Sequence, residues 1–432
     1  MSLSALIARK TRTHLPTIAM ISEHGDPAAD IGREEAGGQN VYVRQVGEAL
    51  AELGYRVDMF TRQIDPEQPV LVQHTPRCRT IRLKAGPLHA IPRDELFAWM
   101  GEFVDSFRQF QRQEGQRYSL IHSHYWMSGW AAMQLKADQK AQLVHTYHSL
   151  GAIKYGSVDT IPQIARTRLA VERQILEQVH CVVATSPQEQ DQLRALVSRR
   201  GTIEVIPCGT DLRNFRVIPK QEARRQLGLP LSEPIILYVG RFDPRKGIET
   251  LVRACSTLQN HARLMIVGGS DPEKADGLER KRIEAIVEEI GLREQTQFVG
   301  QVGHDRLPLY YAAADVCVVP SHYEPFGLVA IEAMACGTPV IASAVGGLVS
   351  TVVPEITGLL APPRDVPAFR AAIDRVLGNR QWAQQMGEQG SLWVGEHFNW
   401  PRVATQLDSL YRSLSGSGKI LELPQTSTAS FL

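Results

Sequence analysis

The stretch PSHYEPFGLVAIEAMACGTPVIASAVGG, residues 320–347, contains the end of an apolar strand, a turn, a helix and the next strand. Gly327 stands where the helix is expected to begin, so the backbone can approach a ligand without a Cβ in the way. The amides of Gly327, Leu328 and Val329 have no partner within the helix and lie at the positive end of its dipole. The stretch therefore predicts a βα unit with an anion site at its helix N-terminus.

Two glutamates flank this helix start. Glu324 precedes the glycine, and Glu332 lies on the helix just over one turn beyond the free amides. A carboxylate in that place can accept hydrogen bonds from two sugar hydroxyls, as acidic residues do with ribose in nucleotide sites. A capping glutamate and a surface glutamate are the alternative interpretation.

The same alternation of short apolar runs and amphipathic stretches extends over the chain, which is typical of βαβ units with parallel sheets. The predicted strands are TIAMIS, RVDMFT, RTIRLK, LIHSHY, QLVHTYH and CVVATS in the first half and IILYVGRF, ARLMIVGG, TQFVGQV, ADVCVVPS, TPVIASAVGG and TGLLAPP in the second. The predicted fold class is α/β, with two Rossmann-like doubly wound domains that face each other across a cleft. Such folds bind ligands at the carboxyl ends of their sheets.

A turn-rich segment near residues 208–216 separates the two series of strands and sets the expected boundary. The expected units are an N-terminal domain at 1–210, a C-terminal domain at 211–398, a helix at 399–415 that packs back on the first domain, and a disordered tail at 416–432. Pro401 suits the first turn of that helix, and the tail is rich in Gly, Ser, Thr and Pro.

The composition excludes several classes of function. With 47 basic and 46 acidic residues among 432, the net charge of +1 gives no overall attraction for nucleic acid or a membrane surface. No run approaches the ~20 apolar residues of a membrane span, and the first sixteen residues do not resemble a secretory signal. Six cysteines without C-x-x-C spacing are expected to be reduced, buried thiols of a cytoplasmic protein.

A second motif, VGRFDPRKGIETLV, places two cations at a strand-to-helix loop. Arg241 ends the strand, and Lys246 follows five residues later, just before the next helix. The donor fork of an arginine and the compact charge of a lysine together suit a diphosphate. Two solvated loop cations are the alternative, which would be favoured if this motif stood alone.

The first half has a glycine-rich loop in EEAGGQNVYVRQVGEAL, residues 34–50. Gly37 and Gly38 stand between a strand and a helix, so the loop either approaches a ligand or only turns the chain. It lacks the third glycine of G-x-G-x-x-G and the Gly-Lys-Ser/Thr of a P-loop. By itself, the loop leaves both interpretations open.

Polar residues also follow a later strand of the first half. HTYHSLGAIKYG places His148 at a strand end with Lys154 six residues on, and IARTRLAVERQ places Arg166 and Arg168 near a helix start. A histidine in this place is more often packed or solvent-facing than catalytic. The histidine pair of IHSHY has no third ligand at metal spacing, so it is expected to be structural or to line the cleft.

The pattern Glu-x7-Glu from Glu324 to Glu332, with GRFDPRKG before it and GTPVIAS and GG after it, resembles the donor-site signature of retaining GT-B glycosyltransferases. That large family contains sucrose-phosphate synthase, sucrose synthase and glycogen synthase relatives. The resemblance implies that Arg241 and Lys246 hold a nucleotide diphosphate, that Glu332 binds ribose and that Glu324 binds the donor sugar. The other implied donor-site positions are Gly38, Val302, whose backbone meets the base, Phe326, Gly327, Leu328 and Val329.

The acceptor side is similar to sucrose-phosphate synthases of the bacterial and cyanobacterial type. The implied acceptor positions are Gly37, Gln39, Arg93, His148, Lys154, Arg166 and Arg168, and the implied catalytic residues are His148, Arg241, Lys246 and Glu324. His148 would lie beside the reacting carbon, and Lys154, Arg166 and Arg168 would bind the acceptor phosphate. Arg93, in IPRDEL, stands where related enzymes carry a lysine, so the charge is retained while the sugar pose can differ.

The implied activity is retaining transfer of glucose from a nucleotide sugar, UDP-glucose first and ADP- or GDP-glucose otherwise, to fructose 6-phosphate, which gives sucrose 6-phosphate. No Asp-x-Asp pair is placed for a metal-diphosphate bridge. The expectation is therefore metal-independent catalysis without a cofactor, in which the Arg/Lys pair and the helix amides stabilise the leaving group. A separate sucrose-phosphate phosphatase is an expected partner.

Two alternatives stay open at this point. In the first, the acceptor is another phosphorylated polyol such as an inositol phosphate, whose transferases share a GG-x-NVYV loop. In the second, the chain is a non-catalytic sugar-nucleotide-binding protein. The sequence is compatible with two routes to retention, front-face attack and a covalent intermediate, because no carboxylate can be recognised as a nucleophile from its spacing. The resemblance favours front-face attack.

Overall fold

The computed structural model describes residues 16–29, 37–156, 161–259, 261–270 and 275–416. The expectations for the N-terminal segment and for the tail after Gly416 concern residues outside these ranges. Within the described ranges, no helix combines the length and the apolar character needed to cross a membrane. The six cysteines are free and buried, as predicted.

The first half of the chain forms one eight-stranded sheet. Its strands are β1 Thr17–Ile21, β2 Arg56–Arg62, β3 Leu71–Thr75, β4 Cys78–Leu83, β5 Leu120–His124, β6 Gln142–Thr146, β7 Cys181–Ala184 and β8 Ile203–Val205. Its helices are α1 Gly38–Glu52, α2 Met100–Glu114, α3 Trp126–Lys136, α4 Gly151–Tyr155, α5 Ala165–Gln178 and α6 Pro187–Leu196, with a 3-10 turn at Leu96–Trp99. The strand order is β3-β4-β2-β1-β5-β6-β7-β8.

The second half forms a six-stranded parallel sheet. Its strands are β9 Ile235–Val239, β10 Arg263–Val267, β11 Thr296–Gly300, β12 Val316–Val319, β13 Val340–Ser343 and β14 Gly358–Ala361, in the order β11-β10-β9-β12-β13-β14. Its helices are α7 Lys220–Leu227, α8 Ile248–Cys255, α9 Ala275–Glu289, α10 Leu307–Ala313, α11 Leu328–Ala335, α12 Leu348–Thr351, α13 Val366–Gly378 and α14 Arg380–His397, followed by α15 Trp400–Leu414. Two 3-10 turns lie at Pro244–Lys246 and Arg293–Gln295.

The predicted apolar runs form strands, and the α/β prediction with two doubly wound sheets is confirmed. Strand β3 was not predicted. Its sequence, LVQHT, is partly exposed along its whole length, and it pairs antiparallel with β4 alone at the sheet edge. An edge strand with no buried face lacks the apolar run by which its neighbours are recognised in the sequence.

The chain crosses between the halves at two places that lie side by side. The Thr210 amide donates to the Phe398 carbonyl at 2.9 Å, and a Cβ at Gly209 would lie 2.7 Å from the Trp400 amide nitrogen. After the second crossing, α15 lies against α1, where the Tyr55 hydroxyl donates to Asp408 Oδ1 at 2.7 Å. The exact domain boundary stays a prediction.

Candidate active site

A cavity of about 670 Å³ lies between the two halves and is lined by loops that follow the strands of both sheets. The predicted residues on its wall are Gly37, Gly38, Gln39, Arg93, His148, Arg241, Lys246, Val302, Glu324, Phe326, Gly327, Leu328, Val329 and Glu332. Three predicted acceptor residues, Lys154, Arg166 and Arg168, are not on this wall. The cleft position of the site thus agrees with the sequence, while the individual roles stay predictions.

Glycines bring the two motifs of the second half together. A Cβ at Gly247, where φ is 68°, would lie 2.0 Å from the Pro320 carbonyl oxygen. A Cβ at Gly346, where φ is 48°, would lie 2.0 Å from the Glu324 carbonyl oxygen. The Arg245 carbonyl also accepts a hydrogen bond from the His322 amide at 2.7 Å. These contacts leave no room for a side chain, which explains both glycines by packing.

The cations of the RFDPRKG loop have different partners. Arg245 forms two hydrogen bonds with Asp243, of 3.0 and 2.6 Å. Burial acts to raise the pKa of Asp243, but the Arg245 contacts outweigh it and lower the pKa to about 2. The Lys246 ammonium donates to Glu324 Oε2 at 2.7 Å, and Arg241 is half exposed, 3.9 Å from Asp243. Arg241 and Lys246 therefore present two cations to the cavity.

Helix α11 begins at the cavity with Gly327 as its N-cap residue, at φ 102° and without a side-chain cap. Glu332 lies one turn further on and is 8 % exposed. Its Oε2 accepts a hydrogen bond from the Tyr311 hydroxyl at 2.8 Å, and its Oε1 lies 3.7 Å from His304 Nε2. Tyr311 thus fixes the carboxylate of Glu332. The sequence did not predict this contact.

The glycine-rich loop of the first half meets α11 across the cleft. A Cβ at Gly38 would lie 3.1 Å from Leu328 Cδ1, so the loop and the helix start are in contact across the cavity. Gln39 Nε2 donates to Ser22 Oγ at 2.9 Å, which holds this side chain at the N-terminal side of the wall. The contact places the loop on the cavity wall, and its ligand-binding role stays a prediction.

His148 occupies a left-handed backbone conformation with φ of 58°, which is uncommon for a residue other than glycine. Its Nε2 lies 3.1 Å from His124 Nδ1, and its ring packs edge-on against Tyr42 at 5.0 Å. Burial, with a smaller contribution from His24, lowers the pKa of His148 to about 3. The imidazole is therefore neutral near pH 7 and acts as a hydrogen-bonding group, not as a cation.

The histidine pair of IHSHY lies under His148. His122 Nδ1 is 2.7 Å from the Tyr411 hydroxyl on α15, and its Nε2 is 2.9 Å from Thr146 Oγ1. The rings of His122 and His124 lie 4.4 Å apart. Among the described residues, no group of three or more His, Cys, Asp or Glu side chains is arranged to hold a metal ion.

Arg168 is 1 % exposed and lies behind the cavity wall. Its Nε donates to Glu172 Oε1 at 2.7 Å, Nη1 to the Tyr125 hydroxyl at 3.1 Å and Nη2 to the Ser149 carbonyl at 2.8 Å. Arg168 therefore holds Tyr125 and the residue next to His148 in place. Arg166, by contrast, is exposed on α5.

Three cations lie near two tyrosine rings: Arg168 and Arg93 near Tyr125, and Lys154 near Tyr155. The guanidinium groups of Arg168 and Arg93 lie 5.0 and 6.0 Å from the ring centroid of Tyr125. Burial lowers the pKa of Lys154, Asp94 at 3.9 Å opposes this effect, and the charges of Arg168, Arg93 and Arg245 lower the pKa further. The positive charges are thus close enough to repel one another, which is the arrangement that an anionic ligand relieves.

Sequence reasoning missed Tyr125 and His24 on this side of the site. The His24 ring stacks edge-on against Tyr125 at 4.5 Å, and its Nδ1 lies 2.6 Å from the buried carboxylate of Glu23. His24 lines the cavity. Tyr125, like His148, has a positive φ, of 76°, and such strain concentrates at functional sites. Backbone strain leaves no signal in the sequence.

Comparisons with known proteins agree with this geometry. Residues 37–209 match the family described as glycosyl transferase 4-like domain, and residues 219–393 match glycosyl transferases group 1. A sucrose-phosphate synthase structure from Thermosynechococcus elongatus is 55 % identical, with a TM-score of 0.87 over 94 % of this chain and 100 % of that one. A D-inositol 3-phosphate glycosyltransferase of Corynebacterium urealyticum is 36 % identical over 92 % of this chain and 95 % of that protein.

The Anabaena protein HepE, solved with UDP and glucose, has a TM-score of 0.73 over 92 % of this chain and 99 % of that one at 18 % identity, which supports the fold alone. The chain belongs to the GT-B glycosyltransferase family, and it is a glycosyltransferase. The sequence-based predictions of the fold and of the enzyme class are confirmed.

Proposed function

We propose that this glycosyltransferase moves glucose from a nucleotide sugar, UDP-glucose first, to fructose 6-phosphate and so forms sucrose 6-phosphate. The observation that carries the proposal is a group of cations beside His148, in which Arg93 and Arg168 lie near the Tyr125 ring and Lys154 lies near the Tyr155 ring. The similarity at 55 % identity to a sucrose-phosphate synthase supports this acceptor. A separate phosphatase that acts on the product belongs to the same proposal.

A phosphate dianion fits the acceptor side for electrostatic reasons. The Lys154 ammonium lies 3.9 Å from the carboxylate of Asp94. Each charge-assisted hydrogen bond to the phosphate contributes about 1.5–3 kcal/mol. An acceptor without phosphate would lose these charge-assisted contacts, so the site discriminates strongly against free fructose.

On the donor side, Arg241, Lys246 and the amides at the start of α11 converge where a diphosphate would leave. Fixed donors of this kind stabilise the negative charge that develops as the sugar–phosphate bond breaks. Neutral His148 offers a hydrogen bond near the reacting carbon. We propose front-face retention without a metal or other cofactor on this basis.

A second candidate acceptor is an inositol phosphate. The support for it is the 36 % identity to a protein named D-inositol 3-phosphate glycosyltransferase. Both candidates carry a phosphate on a polyhydroxylated ring, so the same cations suit either one. The lower identity makes it the second choice.

The test is a product assay with UDP-, ADP- and GDP-glucose as donors. Fructose 6-phosphate, D-inositol 3-phosphate and unphosphorylated fructose serve as acceptors, and an excess of EDTA is added in parallel. We expect a phosphorylated disaccharide from fructose 6-phosphate, with an α-glucosyl signal by NMR, and activity that EDTA does not change. We expect kcat/KM for fructose to be at least about 100-fold lower, because one lost charge-assisted contact alone accounts for tenfold or more.

Product with the inositol phosphate alone would establish the second candidate in place of the first. If the protein binds nucleotide but gives no product with any combination of donor and acceptor, the site binds sugar nucleotides without catalysing transfer, and the proposal is wrong.

A further inference from the structure

His304 lies on the cavity wall beside the carboxylate that we assign to ribose, and nothing so far gives it a role. Its Nε2 is 3.7 Å from Glu332 Oε1. This distance is too long for a direct hydrogen bond. Although the Nε2 atom is buried, it has no hydrogen-bond partner in the described part of the chain. A buried polar atom without a partner in a ligand cavity calls for an explanation.

The linker between the halves holds the ring of His304. Asn214 Nδ2 donates to the His304 carbonyl at 2.8 Å and lies 3.5 Å from His304 Nδ1. The Phe215 ring packs edge-on against the imidazole at 4.8 Å. Because the amide of Asn214 donates toward Nδ1, this atom is the acceptor of the ring and the ring hydrogen belongs on Nε2. The side that carries this hydrogen is the side that faces Glu332.

Glu332 is also fixed, since its Oε2 accepts from the Tyr311 hydroxyl at 2.8 Å. A donor, Nε2–H, and an acceptor, Oε1, therefore stand 3.7 Å apart beside the same cavity. A hydroxyl group is both a donor and an acceptor. One hydroxyl placed between the two can donate to Oε1 and accept from Nε2–H, so that the histidine nitrogen gains the partner it lacks.

We propose that His304 is a second ribose-recognising residue, which donates to a ribose hydroxyl that itself donates to Glu332. Asn214 and Phe215 are the positioning residues that keep the ring in this orientation. The inference rests on the proposed function, because it takes Glu332 to be the ribose ligand. It makes the donor site selective for ribonucleoside diphosphates over their deoxy forms.

The test compares binding of UDP, 2′-deoxy-UDP and 3′-deoxy-UDP by calorimetry, without acceptor. The variants are His304→Ala, His304→Gln, which keeps an N–H donor, and Asp305→Ala, an exposed neighbour that serves as the matched control. We expect His304→Ala to weaken UDP binding about five- to tenfold, the value of one neutral hydrogen bond. One of the deoxy analogues has already lost this contact, so its affinity should change by less than about twofold.

His304→Gln is expected to recover most of the UDP affinity, and Asp305→Ala to bind all three ligands as the unchanged protein does. Equal weakening of all three ligands by His304→Ala would mean a structural role and overturn the inference. Equal affinity of the protein without substitutions for UDP and both deoxy forms would also overturn the inference. If the protein binds ADP and not UDP, ADP and its two deoxy forms give the same comparison. The binding experiment contains no acceptor, so its result does not depend on which sugar phosphate the enzyme uses.

Discussion

The donor side and the acceptor side of the cavity are built in different ways. The donor side takes Arg241 and Lys246 from one loop, Glu324 from the loop before α11 and Glu332 from α11 itself, and all four line the cavity. The acceptor side collects single residues from several loops, and its central cation, Arg168, is buried behind the wall. A donor site of this kind is a local motif, whereas the acceptor site is a product of tertiary packing.

This difference separates the shared from the specific part of the function. The donor motifs fit any nucleotide-sugar transferase of this fold, because in the proposed function they bind the diphosphate and the ribose. In the proposed function, the choice of acceptor depends on how Arg168 and Glu172 fix Tyr125 and the loop after His148. Substitutions on the two sides should therefore differ in what they damage: stability and acceptor binding on one side, and donor binding and turnover on the other.

The largest effect is expected from Arg168→Ala. The change leaves Glu172 as a buried carboxylate without its cation, which costs about 3–5 kcal/mol of folding free energy. Gly151 still donates its amide to Glu172 at 3.0 Å, but one amide does not replace a guanidinium. Denaturant unfolding measures the loss.

The double variant Arg168→Met with Glu172→Leu separates folding from binding. Replacing both members of a buried ion pair by apolar residues is often close to neutral for stability. We therefore expect a folded protein whose KM for the sugar phosphate is raised far more than its KM for the nucleotide sugar. A normal KM for the sugar phosphate in this variant would show that Arg168 serves stability alone.

Next in size is Lys246→Ala on the donor side. It removes one cation from the diphosphate and takes from Glu324 its partner at 2.7 Å. By analogy with the loss of one oxyanion donor, kcat should fall about 10²- to 10³-fold. UDP affinity should fall at least about tenfold, because a charge-assisted bond is lost.

The melting temperature of Lys246→Ala should stay close to that of the unchanged protein. Lys220→Ala is the matched control, since Lys220 forms an ion pair of the same length with Asp315 outside the cavity. Equal loss of activity in both variants would place the effect in the fold and not in the donor site.

The same difference explains how much the sequence could predict. The strands, the cleft and the four donor residues follow from apolar runs and short motifs, because each signal lies within one segment. Tyr125 was missed because its partner Arg168 lies 43 residues further along the chain. His304 was missed because only the fold brings it to Glu332, and β3 because an edge strand has no buried face. Contacts between distant segments leave no spacing to recognise.

A smaller effect concerns stability at acid pH. We expect the first half of the chain, which carries the acceptor side, to lose stability first as the pH falls. Burial lowers the pKa of His122 to about 3, and it lowers the pKa of His124, on the same strand, and of His145, on the next strand, well below the ordinary value. Below pH 6.5 the unfolded chain binds protons that the folded chain does not. Stability is therefore fully present above pH 6.5 and falls as the pH decreases toward 3, by about 1.4 kcal/mol per pH unit for each such histidine.

The variant His122→Gln should reduce this slope by the contribution of one histidine between pH 6.5 and 5, measured by urea unfolding. His89→Gln, at an exposed position, is the control and should leave the slope unchanged. Hydrogen exchange at pH 5 should show the first sheet opening before the second. Simultaneous opening of both sheets would show that the two halves do not differ in acid stability.

The smallest expected effect, and the most selective one, comes from Tyr125→Phe. The change removes the hydroxyl that accepts from Arg168 Nη1 at 3.1 Å and keeps the ring between the cations. The lost hydrogen bond lies within the protein and costs about 1 kcal/mol of stability, and the less firmly held ring should raise the KM for the sugar phosphate a few-fold with the donor KM and kcat unchanged. Tyr118→Phe is the matched control, because its buried hydroxyl donates to Asp58 at 2.6 Å in the same half, far from the cavity wall. Both variants should lose similar stability, and only Tyr125→Phe should change the acceptor KM. If the two behave alike, the acceptor phosphate is held by the cations without help from the tyrosine, and the positioning role of Arg168 is wrong.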